Sequence, residues 1–269
     1  MNLTLSFRSR PILWSLSLIA AVLVALSAAG TAIRHYTSYT TLKGTIPLFY
    51  LGNEANVPTF FSSFLLLVAA TSLLVLAIAR HRNHQRHRLA WFGLAAVFLL
   101  LAVDEASQIH EWTANIVRPL VGNQGIFTYA WVAVGLAFVA ACGLAFFRLW
   151  WDLPPRQRLI FAVAACFYVG GALGLEMVES RRDAAFGHDF VYEVLVNCEE
   201  AMEMTGVLIL LSGVFSLLTE TLRGVNIRFS PADRLPSPAT ASAAPAPEPP
   251  PAGILPATAA IGPRLDLSR

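Results

Sequence analysis

Carboxylates concentrate in three short windows of the sequence. The chain has 17 acidic residues, and more than half of them fall in these windows. They are Asp104, Glu105 and Glu111; Glu176 and Glu179; and Glu193, Glu199, Glu200 and Glu203. Carboxylates that are brought within a few ångströms of one another repel, so they either take up protons or bind a cation. Their clustering therefore predicts a site for shared protons or for a divalent metal ion.

Helical spacing predicts that the members of each window share a face. Residues three, four or seven positions apart lie on the same side of an α-helix. The sets with this spacing are Asp104, Gln108 and Glu111; Glu176 and Glu179; Glu193, Asn197 and Glu200; and Glu199 and Glu203. On a continuous helix His110 lies about 120° from the Asp104 face, so it is expected to reach a shared pocket only from the helix end. Glu193 precedes the apolar part of its segment and is expected to be solvated.

A single pocket is predicted from these faces. The metal ligands are predicted to be Asp104, Glu105, His110, Glu111, Glu176, Glu200 and Glu203, and the pocket rim is predicted to hold Glu54, Asn56, Ser62 and Ser63. Such a ligand set suits Mg²⁺, Ca²⁺, Mn²⁺, Fe²⁺ or Zn²⁺. The sequence has neither H-E-x-x-H nor the paired E-x-x-H of di-iron bundles, so the identity of the metal stays open. A purely structural polar network is the alternative. For Glu179, a solvated ion cluster with the neighbouring arginines is a further alternative to the pocket.

The composition places these acids in a membrane protein. Hydrophobic residues make up 56% of the 269 residues and charged residues only 13%, against about 25% charged residues in a soluble domain. So few charges could not cover the surface of a soluble protein of this length, which excludes a soluble globular enzyme and a disordered protein. A net charge of +2 without a basic groove excludes a nucleic-acid binder. The lipid bilayer is therefore the predicted partner.

Six apolar runs are long enough to cross a bilayer as helices, which takes about 20 residues each. They are roughly residues 11–33, 58–80, 89–111, 128–150, 158–180 and 190–220. These runs predict an all-α, polytopic helix bundle over residues 1–225. Residues 226–269 are rich in Pro and Ala and predict a disordered tail. For the first run a retained anchor is expected, with a cleaved signal peptide as the alternative.

The deeper acids are predicted to face the interior of the bundle. Leu89 to Val103 is apolar, so Asp104 and Glu105 are expected roughly one helical turn inside the outer boundary. Glu203 is expected at a similar depth. A carboxylate that faced lipid there would cost about 2.5–3.5 kcal/mol on insertion scales.

Arginine placement predicts the orientation, because cytoplasmic loops carry an excess of positive residues. The arginine-rich segments are residues 8–10, 80–88, 148–158 and 223–234. They flank the runs on alternate sides, so both termini are predicted to be cytoplasmic in a bacterial inner membrane. All six Trp residues fall near predicted span ends, as expected for an interfacial aromatic belt. The acidic windows then lie at the outer ends of the third, fifth and sixth spans.

Two resemblances follow from particular motifs. The pattern E-x-N-x-P-T…S-S and D-E-x4-H-E, which begins here at Glu54 and Asp104, resembles an uncharacterised family of bacterial multi-pass membrane proteins over roughly residues 45–112. The order of Ser62 or Ser63, Asp104 and His110 is more weakly similar to the superfamily of alkaline ceramidases and progestin–adipoQ receptors. That resemblance implies a seven-helix zinc hydrolase. Its closing H-x-x-x-H is absent here, where Glu199, Glu200 and Glu203 stand instead.

Three classes of function remain open from the sequence. The first is a membrane-embedded, metal-dependent enzyme that acts on a substrate such as a lipid, in which a carboxylate-held metal activates water. The second is a cation- or proton-coupled transporter, which should carry acids through the depth of the membrane. The third is a non-catalytic assembly subunit. Because the acids cluster at one side, the enzyme is favoured over the transporter, while its reaction is not specified.

The orientation can be tested with reporter fusions. Fusions after Arg88, Arg156 and Arg228 should report a cytoplasmic location, and a fusion near Gly122 should report an external one, because arginine-rich loops are retained inside. The measurement is paired alkaline phosphatase and fluorescent-protein activity at each site. The inverse pattern at these four sites would overturn both the topology and the outward placement of the acids.

Overall fold

The fold is a bundle of long helices. The computed structural model describes residues 9–37, 39–122 and 129–222, and within these ranges it contains helices and connecting turns but no strand. Six helices are long and apolar enough to cross a membrane: Ser9–Tyr36, Val57–Arg82, Arg88–Ser107, Trp131–Trp151, Pro155–Phe186 and Phe190–Thr221. This confirms the predicted all-α class and the six predicted spans. The predicted disordered tail lies outside the described residues.

The helical elements are numbered in chain order. They are α1 (Ser9–Tyr36), α2 (Thr45–Phe49), α3 (Val57–Arg82), α4 (Arg88–Ser107), α5 (Ile109–Val121), α6 (Trp131–Trp151), α7 (Pro155–Val169), a π-helical segment (Gly170–Leu175), α8 (Glu176–Phe186) and α9 (Phe190–Thr221). Side-chain caps begin two of them. Asn56 accepts the Thr59 N–H at 3.0 Å at the start of α3, and Asp189 accepts the Tyr192 N–H at 2.9 Å at the start of α9.

The third span ends earlier than predicted. Gln108 has a left-handed backbone with φ of 56°, which ends α4 and lets the chain begin again as the amphipathic helix α5. The predicted common face of Asp104, Gln108 and Glu111 is therefore wrong, because these residues do not share one helix. Apolar content alone does not reveal such a break, since the residues around it are compatible with a continuous helix.

The fifth span contains a π-helical segment between α7 and α8. Such segments are rare and are frequently found at functional sites. The segment passes very close to α9: a Cβ atom at Gly171 would lie 2.9 Å from the carbonyl oxygen of Glu199. The spacing of Gly170, Gly171 and Gly174 is typical of a close helix crossing. Gly171 makes such a crossing, whereas a Cβ at Gly174 would meet no atom within 4 Å.

Helix α9 forms the centre of the bundle. It packs against α1, α3, α7 and the π-helical segment, while α3 pairs along its length with α4. The fully buried apolar side chains come mainly from these helices, including Leu65, Leu73, Leu211 and Val214. Helix α6 stands apart, since it packs mainly on α5 and makes only sparse contact with α4 and α7. Helix α6 is therefore less closely packed on the bundle than α3 and α9 are.

Ionic contacts join loops at the two ends of the bundle. At one end Asp152 contacts Arg86 at 3.0 Å and His87 at 2.6 Å, which joins the α3–α4 and α6–α7 loops. At the other end Arg34 pairs with Glu193 at 2.7 Å, which joins α1 to α9. The two loops joined by Asp152 are both among those predicted to be cytoplasmic.

The α7–α9 crossing predicts a sensitive glycine. A Cβ at Gly206 would lie 2.7 Å from the Tyr168 amide nitrogen and 2.9 Å from the Ala164 carbonyl oxygen. Gly206→Ala should therefore force the helices apart and lower the free energy of unfolding by about 1–3 kcal/mol. The measurement is thermal unfolding in detergent. Gly174→Ala, which adds its methyl group in open space, is the matched control, and equal melting temperatures for the two variants would refute the close crossing.

Candidate functional site

A cavity of about 720 Å³ lies inside the bundle, within the size range of small-molecule sites. Ten carboxylates line it: Glu54, Asp104, Glu105, Glu111, Glu176, Glu179, Asp183, Glu199, Glu200 and Glu203. Two histidines, His110 and His188, also line it, but no Lys or Arg does among the described residues. The structure therefore brings carboxylates from α4, α8 and α9 into one space without a lysine or arginine to neutralise them.

The lining is divided into an acidic end and an apolar end. On α4 the cavity-lining residues run from Leu94 to Leu101 before the acids begin at Asp104, and on α9 they run from Glu203 to Gly206, Val207 and Leu210. The same division holds along the fifth span and α6. The apolar lining residues there are Phe138, Val139, Phe161, Ala164, Ala165, Val169, Ala172 and Leu173. The cavity is thus amphiphilic along its length.

The tightest group of acids contains Glu176, Glu179 and Glu199, each of which offers a carboxylate oxygen within 4.8 Å of the others. The π-helical segment ends directly before Glu176, and α9 contributes Glu199. Glu179 is 2% exposed and Glu199 is 7% exposed. The Oε1 atom of Glu179 finds no hydrogen-bond donor within the described part of the chain. These three carboxylates could hold a metal ion, because they converge with free oxygen lone pairs.

Asp104 and His110 form a hydrogen-bonded pair at the acidic end of the cavity. Asp104 accepts the backbone N–H of His110 at 2.8 Å through Oδ1, and its Oδ2 lies 3.1 Å from the ring Nδ1. Since a carboxylate only accepts, Nδ1 carries the hydrogen and Nε2 is left for another partner. This contact corrects the expected separation of His110 from the Asp104 face. It follows from the helix break at Gln108, which turns the chain back onto Asp104.

The electrostatics favour a protonated His110. Burial lowers the pKa of this ring, but the hydrogen bond and charge of Asp104, followed by the charges of Glu111 and Glu176, outweigh burial and raise the pKa above its ordinary value. The His110 ring also lies against Trp131, with 4.9 Å between ring centroids. The indole N–H of Trp131 donates to Glu176 at 3.1 Å. Trp131 thus connects the histidine to the three-carboxylate group.

An outer group of possible ligands contains Glu54, His110 and Glu111, whose donor atoms lie within 4.8 Å of one another. Both carboxylates are on exposed residues. Burial, followed by the charge of Glu111, raises the pKa of Glu54. Exposed carboxylates are well solvated, so this group is a weaker candidate for a metal than the buried one.

Three further acids lie deeper in the bundle. Glu105 on α4 faces Glu200 and Glu203 on α9, and their carboxylates are near enough to interact electrostatically. They are the last acids before the apolar lining begins on each helix. A Cβ at Gly171 would lie 3.0 Å from the Cγ of Glu203, so the close crossing leaves little room beside that side chain. These acids mark the boundary between the two ends of the cavity.

The structure adds residues that the sequence did not single out. Near the acidic end, the hydroxyl of Tyr129 donates to Asp183 at 3.2 Å and lies 3.3 Å from the Tyr192 hydroxyl. His188 lies 3.3 Å from Asp183 and stacks on Tyr192. All four line the cavity. Tyr129 is distant in sequence from the other three residues, and single Tyr and His residues give no spacing signal. Glu179 is also cavity-lining rather than part of a solvated ion cluster.

Several predicted positions lie elsewhere. Glu193 is not solvated, because it pairs with Arg34. Asn197 donates to Thr31 on α1 at 3.3 Å, so both residues face α1 rather than the cavity. Of the predicted rim, only Glu54 lines the cavity. Asn56 caps α3, Ser62 is buried within the bundle, and Ser63 donates to the Ala102 carbonyl at 2.8 Å.

The fold and the cavity define a multi-pass membrane protein with an internal acidic site. The chain belongs to the family described as Domain of unknown function (DUF8692), which matches residues 16–218. This membership is consistent with the predicted uncharacterised membrane family. Comparison with curated proteins gives no match, and comparison with solved structures gives none either. The weaker similarity to alkaline ceramidases and progestin–adipoQ receptors therefore gains no support.

The Asp104–His110 contact predicts a measurable difference in the pKa of His110 between the wild type and an Asp104 variant. Asp104→Asn should lower the pKa of His110, because burial then acts with less opposition. The wild-type pKa is raised, so its contribution to stability is present below the unfolded value of about 6.5 and is lost as pH rises through the folded-state pKa. Histidine-selective NMR titration, assigned with His110→Gln, measures this pKa. The same titration midpoint in wild type and Asp104→Asn would contradict the pairing.

Proposed function

We propose that this protein is a metal-dependent enzyme of the bacterial inner membrane, with both termini cytoplasmic and the acidic end of its cavity on the outer side. A divalent cation is bound by Glu176, Glu179 and Glu199. The observation that carries the proposal is the convergence of these three carboxylate oxygens within 4.8 Å, in a cavity whose described lining has no Lys or Arg.

Contacts inside this group are compatible with shared protons as well as with a metal ion, since the Glu199 side chain is hydrogen-bonded to those of Glu176 and Glu179. The Oε1 atom of Glu179 supports the metal ion, because it is buried and finds no hydrogen-bond donor among the described residues. A cation would use this lone pair and offset the repulsion among the three charges. Because all three ligands are carboxylate oxygens, Mg²⁺, Mn²⁺ and Ca²⁺ fit the site better than softer metals.

The surrounding residues support catalysis over transport. A metal held by carboxylates can polarise a substrate or activate water, and His110, oriented by Asp104, is suited to move a proton. A transporter needs polar groups on both sides of its central site. Here the described lining beyond Glu105, Glu200 and Glu203 is apolar apart from Tyr168, so it offers no row of acids that would continue the site through the bundle.

Metal binding can be measured as a thermal shift. Mn²⁺ should raise the melting temperature of the purified protein, because a ligand present at 100 times its dissociation constant adds about 2.7 kcal/mol to stability. Glu179→Gln should remove most of this rise by deleting one of three ligands, and it should also lower the amount of Mn²⁺ retained after gel filtration.

Glu220→Gln is the matched control, because Glu220 is exposed on the same helix as Glu199 and does not line the cavity. This variant should keep the full Mn²⁺ response. An equal response in wild type and Glu179→Gln, or none in wild type, would refute the metal site. If Mn²⁺ leaves the wild type unchanged and Glu179→Gln is more stable than wild type, the group shares protons instead.

A further inference from the structure

We propose that the cavity binds a single-chain amphiphile with a cationic headgroup. The alkyl chain lies in the apolar end, and the headgroup lies against Glu105, Glu200 and Glu203. This inference names the class of substrate for the same cavity, but the headgroup acids are not the proposed metal ligands. Binding of the amphiphile is therefore measurable whether or not a metal is present.

The apolar end has the lining that an alkyl chain requires. Its walls come from four helices and consist of aliphatic and aromatic side chains, among them Leu94, Phe98, Phe138 and Phe161. Helix α6 contacts α4 and α7 only sparsely and carries exposed apolar residues such as Leu136 and Leu144. The proposed entry route for a chain dissolved in lipid therefore runs between α6 and these two helices.

The cavity is large enough for one alkyl chain and a small headgroup. Its volume of about 720 Å³ lies within the range of small-molecule sites. Gly143 on α6 adds space to the apolar end of the cavity. It lines the cavity, and a Cβ built there would meet no atom within 4 Å.

The charges select the headgroup. Ten carboxylates and no Lys or Arg line the cavity among the described residues, so a phosphate, sulfate or carboxylate headgroup would meet repulsion. Two arginines at this end pair with other acids, Arg34 with Glu193 and Arg182 with Asp189. An ammonium group would donate hydrogen bonds to Glu105, Glu200 and Glu203, half-buried acids of α4 and α9 that are near enough to interact with one another. These acids lie where the apolar lining ends. The headgroup of an amphiphile whose alkyl chain fills the apolar end must lie at the same place.

Photo-crosslinking tests this proposal. The full-length protein is placed in nanodiscs of zwitterionic lipid with a low mole fraction of a long-chain ammonium that carries a diazirine along its chain. Crosslinks mapped by mass spectrometry should fall on residues 94–101 of α4 and 138–143 of α6. An unlabelled long-chain ammonium should compete, whereas an alkyl sulfate of the same length and a short-chain ammonium should not.

Two glycine variants test whether the alkyl chain occupies the apolar end of the cavity. Gly143→Leu fills the apolar end and should reduce crosslinking at least tenfold. Gly174→Leu adds the same side chain where a Cβ also meets open space, but Gly174 does not line the cavity, so this variant should crosslink as wild type does. Equal crosslinking in both variants, or crosslinks on the outer surface alone, would overturn the proposal that the alkyl chain binds in the apolar end.

The headgroup is tested separately. Glu200→Gln combined with Glu203→Gln should weaken competition by the ammonium at least tenfold and leave competition by a long-chain alcohol nearly unchanged. Equal competition by the ammonium and the sulfate in wild type would overturn the cationic headgroup. Each crosslinking and competition experiment is run once with a chelator and once with Mn²⁺. Crosslinking that persists in chelator while the Mn²⁺ thermal shift is absent would contradict the metal site alone, and the reverse result would contradict the amphiphile alone.

Discussion

The repulsion and desolvation of carboxylates inside a membrane domain constrain the rest of this structure. A charge that faces lipid costs about 2.5–3.5 kcal/mol on insertion scales, and this bundle carries acids on α4, α8 and α9 within its spanning helices. The fold avoids that cost by turning them into one shared cavity. It does not supply neutralising lysines or arginines in the described lining, so the compensating charge is left to protons or to a ligand. This is the arrangement of a binding site rather than of a structural ion network.

Two irregularities in the backbone make this convergence possible. The left-handed Gln108 ends α4 and brings His110 onto Asp104, which a continuous helix would keep apart. The π-helical segment in the fifth span precedes Glu176 and lies so close to α9 at Gly171 that side chains there would clash with its backbone. Regular helices would bury the same apolar surface without bringing these particular groups together. Both irregularities lie beside the acidic end of the cavity, where they set the positions of its carboxylates.

Much of the fold was predictable from the sequence because its causes are local and periodic. Runs of about 20 apolar residues predict the spans, and all six are found. The acids could also be assigned to helix ends, since their positions within the runs are visible. The break at Gln108 was not predictable, because the residues around it are compatible with a continuous helix. Glu193 was misplaced for a different reason: its partner Arg34 is distant in sequence. The cluster of Tyr129, Asp183, His188 and Tyr192 leaves no pattern at all.

The most direct test of the central claim is anomalous diffraction from crystals of the wild-type protein grown with Mn²⁺. We expect one manganese peak between Glu176, Glu179 and Glu199, with carboxylate oxygens from all three at roughly 2.0–2.6 Å, the range of hard divalent cations. The contradicting result is a cavity without a manganese peak in which these carboxylates contact one another directly, because the charge would then be balanced by shared protons and not by a metal.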